Sequence, residues 1–263
     1  MRIHLPTRAH GRAHGRALGR AVAAVAAVVT MLSVSAAPVS ARTSDGPGYG
    51  QPSVGECRDL DLARAMGASE TTAPIECANP HTTRVIAVGR LPAALGWDAP
   101  AGKLASASFK TCETAALEAI GGSVKQRNMS ACQWFWFIPT RAQRAHGARW
   151  FRCDLTLLGG ARLLRLPTDS VPAVDSARLP DSVARCLTAR ILYTTTCARQ
   201  HAFRATGAFR MPGTGYPTPR QFASAAAKRC PALASRDYAY SIRGRDAWRF
   251  GDHTVVCSTK TRA

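Results

Sequence analysis

The sequence Cys77-Ala78-Asn79-Pro80-His81 precedes a run of strand-forming residues, Arg84 to Val88. The same spacing recurs in Cys197-Ala198-Arg199-Gln200-His201, which precedes a second such segment, Phe203 to Phe209. Each motif belongs to a longer series in which the last Cys follows a Gly by six residues. The series consists of Cys57, Cys77, Cys112 and Cys153 in the first half, and of Cys186, Cys197, Cys230 and Cys257 in the second. We interpret the two series as tandem copies of one unit.

The residues between the landmarks predict one helix in each copy. In the second copy, Thr218-Pro219-Arg220-Gln221 supplies a capping hydroxyl, a Pro and a Gln in the order typical of a helix start. Phe222, Ala226 and Cys230 then fall on one face of that helix. In the first copy, Gly121-Gly122 ends a helix whose apolar face contains Leu104, Ala105, Phe109, Cys112, Ala116 and Ile120.

Strands are predicted after each helix. In residues 151–157 apolar side chains alternate with polar ones, so Cys153 is expected to face the core together with Phe151 and Leu155. Residues 238–242 alternate in the same way in the second copy. The predicted fold class is α+β, with two tandem disulfide-braced repeats, each a small antiparallel sheet packed on one helix.

Nine cysteines in 263 residues favour an oxidising compartment over the cytosol. Because helix and strand each present a Cys to the core, we expect a Cys112–Cys153 bridge and, by the same reasoning, Cys230–Cys257. Repeat symmetry leaves Cys57–Cys77 and Cys186–Cys197, although four cysteines in each copy permit three connectivities. For Cys132, which has no counterpart, we expect a buried unpaired thiol. The alternatives are an intermolecular bridge and a different pairing.

The first 41 residues contain no acidic side chain and place five Arg before an apolar run from 21 to 37, which is typical of an export signal. The run is either cleaved, for example after Ala41, or retained as a single N-terminal membrane anchor. Residues 42–53 predict a flexible spacer, with ordered structure beginning near Val54. The repeats are then assigned to 54–160 and 183–263, with a Pro-containing linker at 161–182. We expect a secreted or cell-envelope protein.

The order of these motifs resembles the septum formation domain family of actinobacterial envelope proteins. The resemblance rests on Val54-Gly55-Glu56-Cys57, on Cys77 to His81, and on Gly251-Asp252 ahead of Cys257. His253 stands where the family usually has Arg. The resemblance implies a role in cell division and brings no catalytic residues with it.

No nucleophile elbow, phosphate-binding loop or zinc-protease motif occurs in the sequence, so we expect a non-enzymatic binding or scaffolding protein without cofactor or metal. The formal net charge of +19 favours an anionic wall polymer or lipid surface as partner. An envelope protein is the other candidate partner, and compositional bias is the alternative explanation of the charge. The predicted export argues against nucleic acid as a partner.

Several side chains are candidate ligand contacts. His81 and His201 are expected either to hydrogen-bond the backbone at a strand start or to contact a ligand. The alternative functions are an envelope enzyme using His81 or His201 as general base beside Glu76 or Asp252, a thiol-redox protein, and a zinc site formed by Cys77, His81, Cys197 and His201. The full set of candidate contacts is His81, His201, Trp134, Trp136, Arg149 and His253.

Overall fold

A computed structural model describes residues 45–189 and 191–261 of the chain. The predicted signal or anchor, residues 1–41, lies outside the described residues. The helices in the described part are Leu62–Ala65 (α1), Ala101–Ile120 (α2), Val124–Asn128 (α3), Arg141–Ala145 (α4), Pro219–Leu233 (α5) and Arg245–Arg249 (α6). The strands are Cys57–Arg58 (β1), Thr83–Arg90 (β2), Cys132–Phe137 (β3), Trp150–Leu158 (β4), Leu163–Leu164 (β5), Arg185–Leu187 (β6), Thr194–Thr196 (β7), Phe203–Arg210 (β8), Tyr238–Ile242 (β9) and Thr254–Lys260 (β10).

The first sheet has the order β1-β2-β4-β3, with β5 paired to β4, and all its pairs are antiparallel. Helix α2 packs on this sheet, because Phe109, Cys112 and Ala116 are buried on one face of the helix. These side chains contact the buried side chains of Phe151 and Cys153 on β4. The helix ends before Gly121, whose φ of 71° lies in the left-handed region that glycine tolerates.

The second sheet has the order β7-β6-β8-β10-β9 and is also antiparallel. Helix α5 packs on it and begins as predicted: Thr218 and Gln221 form a reciprocal capping box, with Pro219 in the first turn. Cys230 of α5 is fully buried with Cys257 of β10. The predicted α+β class, with a small antiparallel sheet packed on one helix in each half, is therefore confirmed.

The two halves follow one topology. The order β2-α2-β3-α4-β4 in the first half corresponds to β8-α5-β9-α6-β10 in the second, with α3 inserted only in the first. In both sheets the last of these strands lies between the other two.

Four disulfide bonds join the cysteines of the described chain in the pairs that the two-copy interpretation predicts. They are Cys57–Cys77, Cys112–Cys153, Cys186–Cys197 and Cys230–Cys257, with Cα–Cα distances of 5.3, 5.4, 5.0 and 5.3 Å. Cys132 is a buried free thiol.

Residues 45–53 differ from the predicted spacer, because their backbone is hydrogen-bonded to the segment before β4. Gly46 N donates to His146 O at 2.7 Å, and the Tyr49 carbonyl accepts a 2.9 Å hydrogen bond from Trp150 Nε1. The Tyr49 ring also stacks on His146, with centroids 4.3 Å apart. The prediction that ordered structure begins near Val54 is therefore wrong for residues 45–53.

The predicted linker, 161–182, is likewise packed into the fold. Leu166, Val174 and Leu179 are buried, and Val174 N donates to Ile120 O at 2.8 Å. These residues belong to one hydrophobic cluster that includes Leu155 from the first half and Cys186 from the second. The two halves therefore share a core across the segment that was predicted to separate them. Within the described residues, no helix combines the length and the apolar character needed to cross a membrane.

Candidate functional site

His81 and His201 both occupy the position expected for a histidine that supports a strand start. His81 is fully buried, and its Nδ1 lies 2.9 Å from the carbonyl oxygen of Asn79. His201 is half-buried, and its Nδ1 lies 2.6 Å from the carbonyl oxygen of Arg199. Each ring thus contacts the carbonyl two residues before it. Burial removes His81 from contact with a ligand at the surface, whereas His201 lines a cleft.

The two tryptophans among the candidate contacts lie against the core of the first half. Trp134 is buried, packs edge-on against Phe109 and donates from Nε1 to Glu113 Oε2 at 3.0 Å. Trp136 is half-buried against the same cluster. The rings therefore contribute to packing and do not form an exposed aromatic platform.

Arg149 and His253 are held by separate local contacts. Arg149 Nη2 donates to the carbonyl oxygen of Leu95 at 2.6 Å, and the guanidinium lies 5.2 Å from the Trp97 ring centroid. His253 is buried, stacks on Trp248 at a centroid distance of 4.1 Å and contacts the Trp248 carbonyl at 3.0 Å. The six candidate contacts are thus engaged by different partners and do not converge on one site.

The geometry also disfavours the three alternative functions: an enzyme with His81 or His201 as general base, a thiol-redox protein and a zinc site. Glu76 is exposed while His81 is fully buried, and Asp252 is bound by Arg127 and Asn128. Cys77 carries no thiolate, because its sulfur is bonded to Cys57, and Cys197 is bonded in the same way to Cys186. Within residues 45–189 and 191–261, no group of three or more His, Cys, Asp or Glu side chains is arranged to hold a metal ion.

A groove of about 640 Å³ lies between helix α5 and the segment that follows β8. Its lining includes three cationic side chains, Arg210, Lys228 and Arg229, and no acidic one. We call this feature the basic groove. Its remaining lining is apolar or uncharged and includes Phe209, Met211, Pro212, Tyr216, Gln221 and Ser224.

Local structure places each cation of the basic groove at the surface. Phe222, Ala226 and Cys230 occupy the buried face of α5, so Lys228 and Arg229 are exposed beside the groove. The Arg229 guanidinium lies 5.7 Å from the Phe209 ring centroid.

Arg210 stands at the end of β8, where its Nη1 donates to the Gly251 carbonyl. It too is exposed beside the groove.

The charges of the basic groove are not neutralised by carboxylates in the described part of the second half. The acidic residues there pair with other cations: Asp237 with Lys260, Asp246 with Arg249, and Asp252 with Arg243 and Arg127. Asp181, just before the second half, pairs with Arg204. The groove therefore offers three uncompensated positive charges to a ligand, at a surface where opposite charge is attracted over roughly 10 Å.

The sequence contains a signal for this groove that motif analysis misses. From Ser182 to Arg236 no Asp or Glu occurs, whereas the segment contains nine basic residues: Arg185, Arg190, Arg199, Arg204, Arg210, Arg220, Lys228, Arg229 and Arg236. A charge profile along the chain would have marked this segment, although only the fold shows which of these cations share a groove.

The loop before helix α2 differs from the loop before helix α5. Leu95 and Trp97 in the loop before α2 pack on the core of the first half. The loop before α5 has exposed small residues instead, Gly213, Thr214 and Gly215. Gly213 and Gly215 are part of the lining of the basic groove, beside Met211 and Tyr216 of the same loop, which pack on the core of the second half.

These features define a disulfide-braced α+β protein with a cationic surface groove. The family model described as "Septum formation" matches residues 101–257, which is more than half of the chain. The chain therefore belongs to the septum formation family. No curated protein and no solved structure matches it.

Proposed function

We propose that this protein is a non-enzymatic binding module of the cell envelope that takes part in septum formation and holds an anionic wall polymer in the basic groove. Family membership supports the link to the septum. Four disulfide bonds support a location outside the cytoplasm, where such bonds persist.

We further propose that the two halves arose by tandem duplication. The shared order of elements, the equivalent positions of the four bridges and the matching contacts of His81 and His201 support this origin. The loops before the two long helices then diverged, and the loop of the second copy became part of the basic groove.

The observation that carries the binding proposal is the uncompensated charge of Arg210, Lys228 and Arg229 around one concave surface. A polymer with regularly repeated negative charges can contact several cations of such a groove at once, and each contact increases the effective concentration of the next charge. Because these cations are exposed, salt screens the attraction, so affinity should fall as ionic strength rises. No covalent step is required of any residue in the groove.

The test compares two triple variants of the full chain that lose the same net charge. The groove variant is Arg210→Gln/Lys228→Gln/Arg229→Gln, and the control is Lys103→Gln/Lys110→Gln/Arg141→Gln, three exposed cations of the first half. Sedimentation with purified cell walls should show a loss of affinity of about tenfold or more for the groove variant and less than about threefold for the control.

Walls stripped of their anionic polymers provide the second arm of this experiment. The unaltered chain should bind the stripped walls as weakly as the groove variant binds intact walls. Equal losses in the two triple variants would show that net charge alone drives binding, and undiminished binding to stripped walls would exclude an anionic polymer as the ligand. Circular dichroism checks that each variant is folded.

A further inference from the structure

A second surface of the molecule exposes three consecutive large apolar side chains. Ile191, Leu192 and Tyr193 lie in the loop between β6 and β7 and are 66%, 44% and 46% exposed. We call these three residues the apolar tip. The other exposed large hydrophobic residues of the described chain are separated from one another in sequence: Val54, Met66, Val124, Ile242 and Phe250. Single exposed residues are ordinary at protein surfaces, whereas a contiguous group indicates an interaction site.

The base of the loop is rigid although its tip is exposed. Thr188 N donates to Tyr193 O at 3.0 Å, and Tyr193 N donates to Thr188 Oγ1 at 3.1 Å, which closes the loop. The Cys186–Cys197 bridge and the hydrogen bond from Arg185 Nη1 to Thr194 Oγ1, 3.0 Å long, tie the two strands together below it. The apolar side chains therefore project from a fixed support.

The backbone of the tip is also unusual. Leu192 has a φ of 54°, and it is the one residue other than glycine with positive φ among those described. A bulky side chain rarely adopts this left-handed conformation, which costs about 1–2 kcal/mol relative to the ordinary regions. The fold thus maintains a strained backbone and three exposed apolar side chains at the same place, which indicates a partner for this loop.

We propose that the apolar tip inserts into the surface of a lipid bilayer with anionic headgroups. Ile and Leu favour the acyl boundary, and Tyr favours the interface, where its ring is buried and its hydroxyl remains hydrated. The tip lies inside the segment from Ser182 to Arg236 that has no acidic residue, so anionic headgroups meet no repelling carboxylate from it.

A cleft behind the tip adds polar groups at its side. Ile191 and Tyr193 form part of the wall of this cleft, which has a volume of about 1050 Å³. Lys260, His201 and Asp237 line it as well. Lys260 is paired with Asp237 at 3.1 Å, but both side chains are more than half exposed, so this pair is weak and its ammonium group can exchange Asp237 for a headgroup phosphate. The inference rests on the proposed envelope location and not on the basic groove.

The experiment uses the full chain and two triple variants that remove similar amounts of exposed apolar surface. The tip variant is Ile191→Ser/Leu192→Ser/Tyr193→Ser, and the control is Val54→Ser/Met66→Ser/Ile242→Ser. In flotation with phosphatidylglycerol vesicles, we expect partition to fall about tenfold or more for the tip variant and less than about twofold for the control. Phosphatidylcholine vesicles should bind the unaltered chain more weakly, because their headgroups carry no net charge.

Hydrogen exchange gives a local readout that does not depend on any membrane contact made by residues 1–41. Amides of residues 188–194 should exchange more slowly when the unaltered chain is bound to phosphatidylglycerol vesicles. The proposal is overturned if these amides are not slowed, or if tip and control variants lose partition equally. It is also overturned if the unaltered chain self-associates without lipid and the tip variant does not, since the partner is then a second copy.

The two binding proposals fail separately. The tip variant should sediment with cell walls like the unaltered chain, and the groove variant should still protect residues 188–194 on vesicles. Loss of wall binding in the tip variant would show that the tip contacts the polymer, which contradicts the bilayer assignment. If the unaltered chain does not bind cell walls but residues 188–194 are still protected on vesicles, the proposed polymer binding is contradicted and the bilayer proposal is not.

Discussion

The Nη2 atom of Arg127 lies 3.0 Å from Oδ2 of Asp252, and this contact joins the two halves of the fold. Both side chains are buried, with 5% and 6% exposed. Asp252 also accepts hydrogen bonds from Asn128 Nδ2 at 2.9 Å and from Thr254 N at 3.2 Å, and Arg243 Nε lies 3.1 Å from the same carboxylate. One carboxylate of the second half is thus the common partner of two arginines, one from each half.

Replacing Asp252 with Ala should lower the free energy of unfolding by about 2–4 kcal/mol, because the half-buried Arg243 would lose its counter-charge and the buried Arg127 would keep only Glu113, which lies 2.5 Å from its Nη2. Urea denaturation followed by tryptophan fluorescence measures the change. Asp246→Ala is the matched control, since Asp246 pairs with Arg249 at the surface, where the side chains are 40% and 63% exposed. The control should lose less than about 1 kcal/mol. Equal losses would contradict a special role for Asp252.

The same carboxylate should make stability depend on pH in the acidic range. Burial disfavours the ionised form of Asp252, but the hydrogen bonds from Thr254 and Asn128 and the charges of Arg243 and Arg127 outweigh it and lower the pKa of Asp252 below its ordinary value of 3.8. The folded state then binds this proton less readily than the unfolded state. The contribution of Asp252 is therefore complete above about pH 5 and is lost as pH falls through the depressed pKa.

The free energy of unfolding, measured at several pH values below about 5, tests this linkage. In Asp252→Asn the decline of stability on acidification should be shallower than in the unaltered chain. Some decline should remain, because the pKa of Glu70 is also lowered: hydrogen bonds to Thr72 and Arg152 outweigh the effect of its burial. An unchanged slope in Asp252→Asn would show that Asp252 does not titrate in this range.

The four disulfides should contribute unequally to stability, since the closed loops differ in length. Cys112–Cys153 spans 41 residues and Cys186–Cys197 spans 11. Loop-closure entropy predicts losses of about 4 and about 3 kcal/mol when the two bridges are removed by paired Ser substitutions. Denaturant unfolding of the two double variants, with the other bridges intact, measures the difference. A larger loss from the short loop would show that packing of the bridge, rather than chain entropy, dominates.

Cys132 should be unreactive in the native protein, because burial raises the pKa of its thiol to about 11. At pH 8 only about one thiol in a thousand would then be ionised. Protein recovered from the envelope should take up no alkylating reagent when folded and one equivalent when unfolded without reductant. Cys132→Ser should abolish the single equivalent. More than one equivalent would mean that the disulfides are not formed in the cell, which would contradict the proposed location.

Sequence patterns predicted the elements whose side chains repeat regularly. The capping residues Thr218 and Gln221 marked the start of α5, and periodic apolar residues marked the buried faces of both long helices. The recurring order of cysteines predicted the bridge pairs, because the two-copy interpretation requires the same pairing in each half. These features are encoded locally or by repetition, and both can be read from a single chain.

Strand β4 shows what a local pattern cannot predict. Its alternation predicts one polar face, yet Arg152 and Asp154 are 2% and 0% exposed. Residues preceding β2 cover this second face, and Glu70 accepts a 2.7 Å hydrogen bond from Arg152, whose Nε also bonds Asp154 at 3.0 Å. Glu70 and Arg152 are 82 residues apart in sequence, so the burial of these charges depends on tertiary contacts. The basic groove escaped prediction for a similar reason, since only the fold brings together the cations at the end of β8 and on the exposed face of α5.

A substitution at Gly207 in β8 tests how closely the end of α5 packs on this strand, which the sequence did not reveal. A Cβ atom at this position would lie 2.8 Å from Leu233 Cβ and 2.9 Å from the Leu233 carbonyl oxygen. Because the obstacle includes backbone, Gly207→Ala should displace the end of α5 and destabilise the protein by about 1–3 kcal/mol in urea denaturation. Gly215→Ala is the control, since a Cβ there would meet no atom within 4 Å. If Gly207→Ala is as stable as Gly215→Ala, helix α5 packs less closely on β8 than the structure indicates.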